Sequence, residues 1–159
     1  MKNLFISSLC LFFFINCSKV DLIEASSEEI NQYISKYRGN DAVLLNVWAT
    51  SCAPCVEEFP MIVKLDNEII DLKVLFISTD FDDEKHKVEK FLDLQNVNGI
   101  SFIKNEKDDL FINGLHPKWS GALPFSIIYG KKTGKIVDYW EGKEPELKFR
   151  ESIQIALSN

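Results

Sequence analysis

Two apolar runs of strand length, separated by a helical pattern, constrain the fold of this chain more than any other feature. Residues 42–48 (AVLLNVW) and 73–79 (KVLFIST) are typical of strands that are buried on both faces of a sheet. Between them, apolar residues recur at helical spacing from Pro54 to Ile70, and a kink is expected at Pro60. Because strand, helix and strand follow in this order, we expect a parallel βαβ unit.

The segments around this unit complete the predicted secondary structure. Ser26 and Glu29 form a capping-box pattern, which predicts a helix that ends near Tyr37. The glycine-bounded loop 130–134 indicates an antiparallel hairpin. The remaining predicted elements are a surface helix over 82–95, a strand near 100–104, a short helix around 108–113, hairpin strands over 125–129 and 135–140, and a closing helix over 145–157.

The composition limits the size of the fold and excludes one class of function. The chain has 159 residues, enough for one domain with a sizeable core, and its 46% hydrophobic content is typical of a globular protein. It carries 24 acidic and 18 basic residues, for a formal net charge of −6. Nucleic-acid binders have a basic surface, so we do not expect this chain to bind nucleic acid.

The first sixteen residues are typical of an export signal. Lys2 gives a positively charged start, and the apolar run over 4–15 would span only about 18 Å as a helix, less than a bilayer core. The run stops at Cys17, a pattern that resembles a bacterial lipoprotein signal. The resemblance implies that residues 1–16 are a signal peptide and that Cys17 is lipidated and becomes the first mature residue.

The expected domain organisation follows from this processing site. We expect residues 17–26 to form a short tether and residues 27–159 to form the folded domain. Phe14 and Asn16 stand where lipoprotein signals usually have Leu and a small residue. Ordinary signal cleavage nearby and an uncleaved anchor are therefore the alternatives.

The motif Cys52-Ala53-Pro54-Cys55 places two cysteines where the first strand gives way to the helix. The helix N-terminus favours thiolate over thiol, so we predict that Cys52 is the nucleophile. Cys55 lies one turn into the helix and is the expected resolving cysteine. Pro54 suits the first helical turn because that turn leaves its N–H groups unpaired.

Two other uses of a cysteine pair fit this sequence less well. A zinc site needs two further ligands, and the only histidines, His86 and His116, stand thirty residues apart. A purely structural disulfide would close too short a loop to stabilise the fold much. His86 is expected to be solvated, whereas His116 and Trp119 either belong to the core or line a groove over Cys52.

Two segments of the chain resemble a known family. LLNVWATSCAPCVEEFPMI (44–62), and GALPFSIIY (121–129) followed by GKIV (134–137), resemble the thioredoxin-like fold and, within it, the TlpA and ResA group of bacterial thiol-disulfide reductases. The resemblance covers residues 42–157 and implies an α/β fold with a central mixed β-sheet flanked by α-helices. Ser51 departs from it, because the family usually has tryptophan there.

The resemblance also implies a substrate-binding surface. It implies that Leu123–Pro124 is a cis peptide bond packed against the cysteine pair, with the backbone of Leu123 exposed for pairing with an extended segment. A trans proline that starts an edge strand is the alternative. Trp48, Ala53 and Pro54 are expected to complete this surface.

Glu58 is the candidate proton acceptor. It lies three residues after Cys55 and four before Ile62, and so shares their helical face. The resemblance implies that a glutamate at this spacing is partly buried near the disulfide, where burial would raise its pKa and suit it to accept the Cys55 proton. A solvated surface acid is the alternative. Asn46 stands where thioredoxin has a buried aspartate, and is expected to bond to neighbouring backbone.

These expectations combine into a function. We predict a membrane-anchored thiol-disulfide oxidoreductase of the bacterial envelope that faces the periplasm and acts as a reductase. Cys52 attacks a substrate disulfide and Cys55 releases the product, which leaves the pair Cys52–Cys55 oxidised until a membrane electron donor reduces it. The resemblance suggests apocytochrome c as the protein substrate. No cofactor and no metal are expected.

Three alternative functions remain at this point. A thiol peroxidase of related fold would have an activating threonine three residues before the cysteine, where this chain has Ala49. A copper-delivery module would have one more residue between the cysteines. A non-catalytic lipoprotein would keep the fold for partner binding alone.

Overall fold

The computed structural model describes residues 20–159, in which six strands and five α-helices follow one another and alternate except at the hairpin of the last two strands. The predictions for the signal peptide 1–16 and for Cys17 lie outside the described residues. The elements are β1 Val20–Ala25, α1 Ser27–Ser35, β2 Ala42–Trp48, α2 Ala53–Glu68, β3 Leu72–Ser78, a 3-10 turn Asp82–Glu84, α3 Lys85–Leu94, β4 Gly99–Lys104, α4 Asp108–Leu115, β5 Phe125–Tyr129, β6 Ile136–Glu141 and α5 Glu146–Ser158.

The strands form one mixed sheet in the order β1-β4-β3-β2-β5-β6. β1, β4, β3 and β2 are parallel to one another, whereas β5 is antiparallel to both β2 and β6. The predicted βαβ unit, the hairpin and the α/β fold class with a central mixed sheet are therefore confirmed. β2 has the predicted bounds, and all seven of its residues are buried.

The prediction of a tether over residues 17–26 is wrong for residues 20–25. These residues form β1, the edge strand, which pairs with β4 from Val20 to Ala25. Val20, Leu22 and Ala25 are buried, whereas Asp21 and Glu24 face solvent. The folded domain consequently includes residues 20–25 in addition to the predicted range 27–159.

Two predicted helices differ from the structure in detail. The capping box of Ser26 and Glu29 is present, but α1 ends at Ser35, two residues before the predicted end at Tyr37. The predicted helix over 82–95 begins as a short 3-10 turn and becomes α-helical only at Lys85.

Helices cover both faces of the sheet and form two apolar cores. α2, α3 and α5 pack on one face, and α1 and α4 pack on the other. On the first face Phe59 of α2 stacks on Phe76 of β3 with ring centroids 4.1 Å apart, and its ring meets Trp48 at 4.9 Å. These contacts fix α2 against the sheet, so its N-terminus lies just beyond the carboxyl end of β2.

Candidate active site

The cysteine pair lies at the start of α2, directly after β2. The backbone N–H of Cys52 donates to Ala49 O at 3.1 Å, which closes the turn between strand and helix. Cys52 caps the helix, and its sulfur is bonded to that of Cys55 at 2.06 Å. Cys52 is partly exposed, whereas Cys55 is only 1% exposed. An incoming thiol or disulfide can therefore reach Cys52 but not Cys55.

The loop before β5 provides an open backbone edge beside this part of the fold. The peptide bond Leu123–Pro124 is cis, as the resemblance implies. Trp119 Nε1 donates to Ala122 O at 2.8 Å, and Gly142 N donates to Pro124 O at 2.8 Å, so the loop is held on both sides. Within residues 20–159, neither the N–H nor the C=O of Leu123 forms a hydrogen bond. Its backbone is free to pair with an extended segment.

The remaining residues of the predicted substrate-binding surface divide into two groups. Ala53 and Pro54 are exposed at the start of α2, next to Cys52. Trp48 is 0% exposed and packs against Phe59, so the prediction that it touches substrate is wrong. Trp48 is the last residue of β2, and its side chain points into the core, where it also contacts the ring of Phe91.

Glu58 is buried in α2, one turn beyond Cys55. It is 2% exposed, and Asn46 Nδ2 donates to its Oε1 at 3.0 Å. In the described part of the chain its second oxygen, Oε2, has no partner. Burial raises the pKa of Glu58 to about 7, although the hydrogen bond from Asn46 lowers it. Glu58 is therefore not a solvated surface acid, and it titrates near neutral pH.

The expectation for Asn46 is also wrong. Its side chain does not bond to neighbouring backbone but donates to Glu58 Oε1 and, at 3.1 Å, to Ser126 Oγ of β5. Asn46 is fully buried in β2. It connects the buried acid to the central strands and holds the carboxyl group in one place.

A buried carboxylate that the sequence did not reveal holds the loop before Cys52. Asp80 is buried beyond β3 and accepts hydrogen bonds from Thr50 N at 2.9 Å, Thr50 Oγ1 at 2.6 Å and Ser78 Oγ at 2.6 Å. The only signal in the sequence was a polar Ser-Thr-Asp end to a buried strand next to β2. Because the Thr50 hydroxyl is engaged with Asp80, it is not oriented to activate a peroxidatic cysteine.

The histidines lie in different surroundings. The His86 side chain is 92% exposed, as expected. His116 is buried against the ring of Tyr139 at 4.0 Å, and burial lowers its pKa. Trp119 stacks on Phe125 at 4.8 Å. Between residues 20 and 159, no group of three or more His, Cys, Asp or Glu side chains could hold a metal ion, and no helix is long and apolar enough to cross a membrane.

Solved structures of the same architecture resemble this chain. A thiol:disulfide interchange protein of the thioredoxin family from Chlorobium tepidum has a TM-score of 0.62 at 18% identity, and the match covers 75% of this chain and 81% of that one. The exposed lipoprotein thioredoxin of Streptococcus pneumoniae has a TM-score of 0.60 at 19% identity, covering 77% and 89%. A secreted disulfide oxidoreductase from Mycobacterium tuberculosis has a TM-score of 0.56 at 16% identity, covering 76% and 85%.

At these identities the solved structures show the fold, and the sequence itself shows the family. No curated protein matches the chain. The sequence model of the thioredoxin family, described as "Thioredoxin", matches residues 21–120, which is more than half of the chain. Together with the bonded pair Cys52–Cys55 at the start of α2, this match shows that the chain belongs to the thioredoxin family and is a thiol-disulfide oxidoreductase.

Proposed function

We propose that this protein reduces disulfides of other proteins in the bacterial cell envelope. The observation that carries the proposal is the asymmetry of the cysteine pair. Cys52 is reachable at the helix N-terminus and Cys55 is enclosed behind it, while the backbone of Leu123 is free to hold an extended substrate. Apocytochrome c, or another envelope protein with a reducible disulfide, is the substrate that fits the resemblance.

The proposed reaction transfers two electrons in two exchange steps. The Cys52 thiolate attacks one sulfur of the substrate disulfide, the substrate S–S bond breaks, and the leaving sulfur departs as a thiolate that is then protonated. Cys55 loses its proton and attacks the Cys52 sulfur of the mixed disulfide. The second substrate sulfur leaves, the substrate is reduced, and the pair Cys52–Cys55 is oxidised. A membrane electron donor then returns two electrons to the pair.

We propose that the carboxylate of Glu58 accepts the thiol proton of Cys55 before Cys55 attacks the mixed disulfide. The two residues are three apart on one helical face and both are buried, so solvent has little access to the thiol. With a pKa of about 7, the carboxyl group can both accept and release a proton at neutral pH. Asn46 acts as a positioning residue, because it holds one carboxylate oxygen while the other has no partner among the described groups.

The direction of electron flow is proposed from the charges around the pair. Ala53 and Pro54, between the cysteines, carry no charge, and the nearest buried titratable group on α2 is an acid. Oxidants of this fold are strong because their reduced form is stabilised, and a buried acid close to the pair does not stabilise a thiolate. A carboxylate therefore favours the disulfide form and makes the pair a reductant.

Equilibration of the purified protein with glutathione buffers tests this direction. The expected reduction potential lies near the thioredoxin value of about −270 mV, and a value near −120 mV would identify an oxidant instead. The thiol and disulfide forms are separated by mass after alkylation. Ser51→Ala, an exposed neighbour of the pair, serves as the control and is expected to keep the wild-type potential.

The location is proposed from the N-terminal pattern. We propose a signal peptide over 1–16, a lipid on Cys17 and a folded domain that faces the periplasm. The exposed lipoprotein thioredoxin of Streptococcus pneumoniae, a structure of the same fold, supports such a location.

Mass spectrometry of the mature N-terminus tests the anchor. The expected result is a chain that starts at Cys17 and carries acyl groups, and that partitions with the membrane fraction. Cys17→Ser is expected to release the protein from the membrane, whereas Cys10→Ser is expected to leave it there. An unmodified N-terminus elsewhere in the wild-type protein would remove the anchor from the proposal.

A further inference from the structure

A cavity of about 150 Å³ lies beside the loop that carries the cis peptide bond. Aromatic and aliphatic side chains form most of its wall, and Lys104 and Asp108 form its polar side. An engineered apolar cavity of about this volume holds one benzene molecule, so the space fits one apolar side chain. The apolar part of the wall includes Phe81, Ile112, Trp119 and Leu123.

Two connections join this cavity to the cysteine pair. Leu123, whose free backbone precedes the cis bond, forms part of the wall. Phe81, another residue of the wall, directly follows Asp80, whose carboxylate holds Thr50 two residues before Cys52. A segment that pairs with the backbone of Leu123 therefore lies next to the cavity, because Leu123 is part of its wall.

The entrance exposes apolar surface that a folded monomer normally covers. Phe81 is 73% exposed although it is a large aromatic side chain, and Leu110 on α4 is 57% exposed. Both line the groove that adjoins the cavity. Exposed apolar surface beside a concave site is typical of a binding surface.

The adjoining groove is acidic. Four carboxylates and two lysines line it, and one of the lysines, Lys104, is paired with Asp108. The chain as a whole has a formal net charge of −6. A partner segment with basic residues is therefore favoured over one with acidic residues. The six residues are Asp80, Asp82, Glu106, Asp108, Lys104 and Lys107.

We propose that this cavity is a specificity subsite for the disulfide substrate. It takes one apolar side chain, of the size of leucine or larger, from an extended segment that carries the reacting cysteine, and the acidic groove favours a lysine or arginine nearby. This inference rests on the proposed function, because it names the kind of sequence that the reductase selects.

A set of short peptides tests the subsite, each with one cysteine joined to glutathione as a mixed disulfide. Leucine is placed in turn at each of the three positions before and after the cysteine in an otherwise alanine and lysine sequence. We expect one position to raise the second-order rate constant of reduction about tenfold over alanine, which corresponds to about 1.4 kcal/mol. Glutamate in place of lysine is expected to slow the reaction severalfold at low salt only.

Variants of the cavity wall distinguish a specific subsite from non-specific hydrophobic binding of the peptides. Phe81→Ala, at an exposed position, is expected to reduce the leucine preference to within about twofold, and Ile112→Ala is expected to move the preference toward phenylalanine. Leu94→Ala, at an exposed apolar residue of α3 that does not line the cavity, is the matched control and is expected to keep the preference. Leu94→Ala should also keep the wild-type rate of reduction of oxidised glutathione.

Three results would overturn the subsite. The first is a wild-type protein that reduces leucine and alanine peptides at the same rate at every position. The second is a leucine preference that survives in Phe81→Ala. The third is a wild-type dimer in sedimentation that Phe81→Ala dissociates, because a second copy of the chain would then cover the cavity. Failure of the proposed function looks different. In that case the wild type reduces neither glutathione nor the peptides, but leucine peptides still shift the Ile112 methyl resonance.

Discussion

Cys52→Ser is expected to abolish disulfide reduction, with a loss of more than about a thousandfold in the second-order rate constant, because a hydroxyl group is not ionised at neutral pH. Cys52 is the sulfur at the helix N-terminus and the more exposed of the two. The measurement is stopped-flow reduction of a peptide disulfide by the prereduced protein.

Cys55→Ser is expected to behave differently, because the attack by Cys52 remains possible. The mixed disulfide between Cys52 and the substrate should accumulate to near one equivalent and be released only by added thiol, as seen by mass under non-reducing conditions. Ser51→Ala, which lies next to the pair and is exposed, should react like the wild type. A mixed disulfide that accumulates in Cys52→Ser and not in Cys55→Ser would reverse the assignment of the two roles.

Glu58→Gln is expected to stabilise the oxidised protein at alkaline pH. Below pH 4.5 the carboxyl group is protonated in both folded and unfolded chains. Between pH 4.5 and about 7 the unfolded chain releases the proton while the folded chain, with its raised pKa, keeps it, so stability falls as pH rises. The full loss, reached above pH 7, is about 3 kcal/mol in the free energy of unfolding.

The substitution should remove this fall in the free energy of unfolding. Part of the gain is offset, because a buried glutamine amide group with one unpaired polar atom is itself destabilising. We expect a gain of about 2 kcal/mol at pH 8 and little change at pH 4.5, measured by urea unfolding of the oxidised protein, in which the cysteines do not titrate. Glu57→Gln is the matched control, because Glu57 is exposed and only pairs with Lys143 on the surface. If the free energy of unfolding depends on pH equally in wild type and Glu58→Gln, ionisation of Glu58 does not destabilise the folded protein.

The same variant tests the proton transfer. With Glu58→Gln, the attack of Cys52 on the substrate should keep its rate, since it depends on the thiolate at the helix end. The resolution step by Cys55 should slow and lose its dependence on pH near 7. If neither rate changes between pH 5 and 9, Glu58 does not accept the Cys55 proton.

The elements that were predicted well are those whose signal is local. β2 is a continuous apolar run, and its bounds were predicted to the residue. Glu58 shares a helical face with Cys55 and Ile62, as its spacing predicts, and its burial is what the resemblance implies. Such patterns are short in sequence and are decided by burial, which the residue types report directly.

The features that were missed depend on contacts between distant parts of the chain. β1 reads as a polar segment because Asp21 and Glu24 alternate with its buried residues, and only its pairing with β4 makes it a strand. Asp80 holds Thr50 across thirty residues, and nothing near either residue predicts the other. Asn46 finds its partner on α2 for the same reason.

The edge strand β1 also determines how far the catalytic end stands from an anchor. β1 is parallel to β2 through β4 and β3, so Val20 lies at the amino edge of the sheet and Cys52 at the carboxyl edge. By the strand register Val20 lies level with Leu44 of β2, and the four residues from Leu44 to Trp48 rise about 13 Å. Cys17 precedes Val20 by three residues, at most about 10 Å of extended chain. A lipid on Cys17 would hold the amino edge towards the bilayer with Cys52 facing outward, and a donor embedded in that bilayer would then have to present its own thiol at least about 10 Å above the surface to reduce the pair.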